Sequence, residues 1–554
     1  MNRRELLSLM LGAIHASAFL HLTSCKKQTS AGLPYSTQYL DHYFQINLFG
    51  SPARWTFDLM LNPSGEDHID GNQMITTKFI NTGGASKPIY QTTEFKETTV
   101  PYFWSLQAKG EGGKSFKVNQ LLDNTLILRG CNMESDGHEV NNRKLIAPVL
   151  GKDSLSSFLA RKSSRTIPFL HLVGVGQPLN IAPSAFSSTS GSYSESILIE
   201  KKNSLSLLKS LFEKSSNEPL SSPVGMSELN PWQAEYIEDA YEKAKGVLNT
   251  SYVAVTSYYQ KALLKYNKII KENFNMDVAG LNDVIDPSSE IHKVIKESKG
   301  KYLDPKNRFH LWHLDNFILL EGVSKCFKSA KWEGLAEQFA LNQTLLHFKI
   351  ISSSMIIPEK IHNIIFTKAF NMDEWEKGKN LENFKKHSQE ADFHFDFDGH
   401  NCGTAMTLIG STYAYLALTG CIDSFINFLK TEKIFDKSLI HLVSEFEREP
   451  SNTFIGSEHG FNGHTSSFIS GAIKEFTVLG NIYKKAPSTM FPDSGTWGAG
   501  APLKSLDNRT MAYGNIAASI SKVMGIPNVA INNQPLFELK DGVITPLIDE
   551  CELI

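Results

Sequence analysis

The chain has 554 residues, 41% of them hydrophobic and 20% charged, the make-up of a globular protein with ample core. A net charge of −3, with no Lys/Arg run interleaved with aromatics, excludes a nucleic-acid-binding surface. Its length allows one large domain or about two to four of average size.

Arg3 and Arg4 open the chain, and an apolar run over 6–20 follows, broken by Ser8, His15 and Ser17. A membrane span needs ~20 apolar residues, so this run fits the h-region of a signal peptide instead. Leu22-Thr23-Ser24-Cys25 matches the lipobox of bacterial lipoproteins, in which the cysteine is lipidated and becomes the new N-terminus. Residues 1–25 therefore read as a lipoprotein signal peptide and 26–40 as a short polar tether. Arg3-Arg4-Glu5-Leu6-Leu7 also resembles a twin-arginine export motif. Together these features predict an exported protein, anchored to the bacterial cell envelope through Cys25, on a periplasmic or surface face. Cys131, Cys326, Cys402, Cys421 and Cys551 lack metal-site spacing and read as mostly buried thiols.

Residues 43–49 alternate and then turn at Gly50-Ser51-Pro52, the pattern of a first strand feeding a loop. Further strands are predicted at 125–128 and 168–173, each ending in glycine and polar residues. Between about 230 and 380 the texture becomes helical, with 3.6-period stretches at 232–248, 288–299, 314–327 and 332–351. This reads as a mainly helical insertion. A long helix at 404–429, a buried strand at 439–443, a strand at 466–473 and a helix at 515–524 follow, with a polar tail at 532–548. Strands separated by helices predict an α/β domain over 41–554, a mostly parallel sheet flanked by helices.

The chemistry concentrates between Asp398 and His464. Six of the 17 histidines lie between His387 and His464, interleaved with carboxylates. Asp398 and His400 are two apart and can face one cation from an extended segment. Glu445 follows the 439–443 strand, which aims its carboxylate from the sheet's carboxyl edge, where open α/β sheets bind their ligands. Glu458 and His459 are adjacent, and His464 returns after a glycine-bounded turn. Asp398, His400, Glu445, Glu458, His459 and His464 are thus candidate ligands for a divalent metal, zinc, manganese or calcium, and Glu445 is the candidate catalytic residue. Glu447 and Glu449 read as solvated neighbours, and His441 as a core histidine. His394 and Asp396 alternate with Asp398 as second-rank candidates. His138, in a Gly-His turn, reads as a pocket residue or a surface histidine.

These motifs resemble, in order, those of a family of exported bacterial proteins of unknown function in the alkaline-phosphatase/sulfatase-like superfamily. Ser444-Glu-Phe-Glu-Arg-Glu-Pro450 is similar to that family's S-E-F-G-R-T-P, and Phe397-Asp-Gly-His-Asn401 to its W-D-T-H-x. Residues 456–460 are similar to its G-x-D-H-G, 49–58 to its opening G-G-P-S-x-x-D-T-F-D, 126–138 to its R-S-M…H segment, and 516–536 to its C-terminal helix and G-R-P-L tail. The resemblance implies an alkaline-phosphatase-like fold and metal-dependent hydrolysis of a phosphate or sulfate ester on a small molecule or polysaccharide. The chain departs from the family at Trp55, where the opening motif has an acid, and at Glu447, Glu449 and Glu458. Loss of the early acid leaves a second expectation: a binding or structural lipoprotein that keeps the fold without the catalysis.

Overall fold

A computed structural model of the protein describes residues 39–59, 92–149, 153–174, 196–199, 231–278, 327–364, 395–398, 404–450, 457–460, 463–480, 482–483 and 499–548, a few single positions excepted. Ten strands matter for the site: β1 (His42–Asn47), β2 (Thr125–Cys131), β3 (Ile167–Val173), β4 (Ser196–Ile199), β5 (Ile351–Ile357), β6 (Ser438–Val443), β7 (Glu447–Pro450), β8 (Ser457–Gly460), β9 (His464–Ile469) and β10 (Thr477–Leu479). Eight of them form one sheet in the order β10-β2-β9-β6-β1-β5-β3-β4, while β7 and β8 make a separate antiparallel ribbon. Neighbours in the sheet are parallel except where β9 pairs with β6 and β2, so β9 alone runs against the other seven. The chain is therefore α/β with a mixed, mostly parallel sheet, as its strand and helix spacing predicts.

Among the described residues the α-helices are α1 (His138–Ile146), α2 (Leu155–Lys162), α3 (Pro231–Phe274), α4 (Glu333–His347), α5 (Thr404–Thr431) and α6 (Tyr513–Met524). All six residues of β1 are buried, and so are all six of β6. Burial on both faces is why β6 reads as a mostly apolar run, whereas β1 carries buried His42, Gln45 and Asn47 between its apolar residues. Alternate side chains divide between two cores. Phe44, Ile46, Ile440 and Leu442 join the core that contains Phe339, Leu345, Leu416 and Phe425. Tyr43, Leu439 and Val443 join the core that contains Leu145, Leu159 and Ile520. The sheet is thus sandwiched, with α3, α4 and α5 supplying one core and α1, α2 and α6 the other.

Helix ends follow local chemistry. Ser154 caps α2, its hydroxyl accepting from the Ser157 amide at 3.1 Å. Gly525 ends α6 at φ 61°, the left-handed conformation a helix stop favours. Among the described residues, no helix is long and apolar enough to cross a membrane.

The region expected to be helical holds α3 and α4, but 351–357 is a strand inserted beside β1. Its sequence, Ile-Ser-Ser-Ser-Met-Ile-Ile, hides a fully buried strand behind three serines. Ser352 is satisfied there by donating to the Pro168 carbonyl at 2.7 Å. The polar tail is likewise structured, a hairpin of Phe537–Lys540 with Val543–Pro546. The expected helices at 288–299 and 314–327 lie outside the described residues apart from Phe327, as do the signal peptide with Cys25 and nearly all of the tether.

Candidate active site at the carboxyl edge of β1 and β6

β1 and β6 are parallel neighbours, so their carboxyl ends emerge side by side. After β1 the chain passes through Gly50 at φ 99° and Ser51 at φ 57°. A side chain at Gly50 would strike the Asp398 amide, since a Cβ built there lies 2.7 Å from it. The same tight turn brings the Gly50 amide to Glu445, to whose Oε1 it donates at 2.8 Å. Glu445 lies two residues beyond the end of β6 and is fully buried. Its Oε2 has no hydrogen-bond partner among the described residues.

His138, the first residue of α1, completes this pair. Its Nδ1–H donates to Glu445 Oε1 at 2.6 Å, while its Nε2 stands 3.7 Å from Asp398 Oδ2. The imidazole is boxed by rings, with centroids of Phe446 at 4.6 Å, His459 at 4.7 Å and Phe49 at 5.7 Å. Asp398 is about one third exposed and is held from behind by buried Arg448, which donates to its Oδ1 at 2.7 Å. Arg448 also donates to the Gly50 and Ser51 carbonyls. One guanidinium thus fastens the first loop, the Asp398 segment and the ribbon to one another.

A second buried guanidinium lies beneath. Arg54 pairs with Asp58 through two hydrogen bonds and donates to Ser444 Oγ at 3.2 Å. Burial works against the Arg54 charge, yet the Asp58 carboxylate outweighs it and holds the group above its ordinary value. Asp58 also accepts from Ser467 Oγ at 2.5 Å. Glu447 is buried rather than solvated. Its Oε1 accepts from the Arg54 amide at 2.9 Å and from the Arg448 amide at 3.2 Å. Burial, opposed by Arg54, pushes its carboxyl up to about 8. The expectation of a surface glutamate fails because the ribbon folds back over the first loop, a contact that local sequence does not announce.

The residues singled out in the sequence separate into three groups. Asp398, Glu445 and His459 meet around His138. His464 is buried at the start of β9, its Nε2 3.2 Å from Ser466 Oγ, and burial, with Arg54, lowers its basicity well below the usual range. His400, His394, Asp396 and the side chain of Glu458 lie outside the described residues. His441 is a core residue of β6, stacked on Phe468 at 4.4 Å. Reasoning from sequence passed over Arg54, Asp58 and Arg448 as functional groups. Arg448 could have been found, since a charged residue inside a motif at a strand end needs a buried partner.

Two guanidinium groups at this edge face four carboxyls, those of Asp58, Asp398, Glu445 and Glu447. Part of that surplus is answered by a proton on buried Glu447, whose carboxyl is pushed up to about 8, and part by solvent at the one-third-exposed Asp398. Glu445 Oε2 and His138 Nε2 are orphaned donor atoms of the types a divalent metal takes. Among the described residues, no three His, Cys, Asp or Glu side chains are arranged to hold a metal ion. Two orphaned atoms of suitable type do not by themselves make a metal centre of the described residues. Family models, curated proteins and solved structures offer no match to this chain.

Proposed function

We propose that this protein is a lipid-anchored envelope hydrolase of the phosphatase/sulfatase-like class, acting on phosphate or sulfate esters at the Glu445–His138 edge with a divalent cation. The observation that carries the reading is the pair of buried atoms left without hydrogen-bond partners among the described residues, Glu445 Oε2 and His138 Nε2, beside the Asp398 carboxylate. Glu445, His138, Asp398 and His459 would hold the ion, together with His400. The ion would supply Lewis-acid polarisation of an ester oxygen and a lowered pKa for bound water. The chain's own part is to fix the donors. The Gly50 amide and His138 orient Glu445, Arg448 sets the angle of Asp398, and the Phe49–Phe446–His459 box keeps water from the inner side of His138. The lipobox-like Leu22–Cys25 and the twin-arginine-like leader support an envelope location.

Elemental analysis of the soluble domain, purified without chelator, should find a stoichiometric divalent metal. Added zinc or manganese should raise the melting temperature of the stripped protein, and Glu445→Gln with His138→Ala should abolish that rise. Turnover of aryl phosphates and aryl sulfates then separates the two ester classes. A protein without metal that gains no stability from either ion would overturn the reading.

A specific feature favours a second reading, a binding or structural lipoprotein. Arg448 and Arg54, the two buried cations that could meet a substrate anion, are already engaged with Asp398 and Asp58. A metal-loaded protein inert toward every ester of both classes would favour it.

A further inference from the structure

We propose that the sheet face beneath α1 contains a built site for internal water, a short string running inward from the Asn47–Asn142 contact to His441. The residues follow one another on a single face. Tyr43, Gln45 and Asn47 alternate along β1, and Gln45 is in register with His441 on β6. Gln45 is 2% exposed, and Asn47, Asn142 and His441 are fully buried.

Direct hydrogen bonds meet only part of what these groups carry. Asn47 Nδ2 donates to Asn142 Oδ1 at 2.7 Å. The Tyr43 hydroxyl donates to Gln45 Oε1 at 3.1 Å and contacts His441 Nδ1 at 2.8 Å. Gln45 Nε2, Asn47 Oδ1, Asn142 Nδ2 and His441 Nε2 are left without partners among the described residues. Reversing the amides does not remove the deficit. Turning both asparagines keeps one mutual bond and orphans the other two atoms, and turning Gln45 orphans its oxygen.

The leftover chemistry identifies the ligand. A hydroxyl donates once, so Tyr43, donating to Gln45, accepts from His441 Nδ1–H and leaves Nε2 as an acceptor. Burial keeps that imidazole neutral. Two donors, on Gln45 and Asn142, thus stand beside two acceptors, on Asn47 and His441. A metal ion would require acceptors throughout, an anion donors throughout, and an apolar ligand neither. Water supplies both. Same-face neighbours along a strand lie ~6.6 Å apart and adjacent strands ~4.8 Å apart. One or two waters bridge such gaps at about 2.8 Å per bond. Asn142 is one helical turn beyond His138, so the string lies behind the metal-binding set and shares no residue with it.

A crystal structure of the full-length protein, at a resolution that reveals ordered water, tests this directly. Water should lie within hydrogen-bond distance of each of the four atoms. A column filled by other side chains of the chain, or closed with those atoms against apolar groups, would overturn the proposal. Water-oxygen relaxation dispersion offers a second readout. The double variant Asn47→Leu with Asn142→Leu should lose at least one long-lived internal water per molecule, and an unchanged count in a folded variant refutes the site. Neither readout depends on metal content, so failure here is distinct from failure of the hydrolase reading.

Discussion

The carboxyl edge of the sheet and the α3–α5 layer both bury large side chains but are held by different forces. In the layer, Tyr266 of α3 meets Phe339 of α4 at 5.3 Å, Phe339 meets Phe425 of α5 at 6.0 Å, and Phe425 meets Phe44 of β1 edge-on at 5.1 Å. Most of the strength of these contacts comes from the apolar area each ring removes from water, a term without direction, and less from the ring geometry. At the edge, Arg54, Asp58, Glu447 and Arg448 exchange hydrogen bonds between segments hundreds of residues apart. Each group there is costly to bury alone and tolerable only with its partner. The layer can lose a side chain and keep its logic, whereas the edge cannot.

The largest effect that tests this contrast is Arg54→Met. It leaves Asp58 buried and unpaired, and should destabilise the domain by about 3–5 kcal/mol in urea unfolding. Adding Asp58→Leu should restore most of that loss, because the uncompensated charge is gone. A double variant no better than the single one would show that the pair is not acting as a unit. Leu345→Ala in the helical layer should cost about 3 kcal/mol, a cavity that no second deletion repairs. Gly50→Ala should cost about 1–3 kcal/mol from the forced left-handed backbone and the clash at Asp398. Its damage should stay local, read as faster amide exchange around Glu445 with the α3–α5 layer unchanged.

The last effect concerns pH, and near neutrality it is the smallest of the set. His171 of β3 is fully buried, neither ring nitrogen has a hydrogen-bond partner among the described residues, and burial lowers its pKa from 6.5 to about 3. The folded state refuses a proton that the unfolded chain accepts. The contribution is therefore fully present above pH 6.5 and is lost as pH falls toward 3, at up to about 1.4 kcal/mol per pH unit. His171→Phe should flatten that part of the acid limb. His42, His441 and His464 shift in the same direction, so a residual slope will persist.

Much of the fold was legible because its signals are local. The turn at Gly50-Ser51-Pro52, the apolar run before Ser444 and the glycine stop at Gly525 each mark an element end with nearby residues. The convergence of Glu445, Asp398, His459 and His138 followed from motif order together with the rule that ligands gather at carboxyl strand ends. What escaped depends on distant partners. β5 reads as polar until Ser352 finds the Pro168 carbonyl of β3 and Ser353 the Tyr43 amide of β1, and Glu447 reads as exposed until the Arg54 amide meets it. Arg54 was invisible as a buried group, since a lone arginine outside a motif carries no local sign of the carboxylate that accompanies it, whereas Arg448 had its motif as a signal.

The position of β1 has a consequence for synthesis. This strand, the first of the sheet to leave the ribosome, sits in its middle between β5 and β6. Tyr43 of β1 bonds to His441, 398 residues later in the chain. The earliest strand must therefore wait, unpaired, until most of the protein has been made, and the sheet cannot close in the order of translation. Its nascent form exposes an apolar ribbon that a chaperone would have to cover. A truncation that stops short of Ser438 should leave β1 without its β6 neighbour and should aggregate rather than fold to a smaller domain.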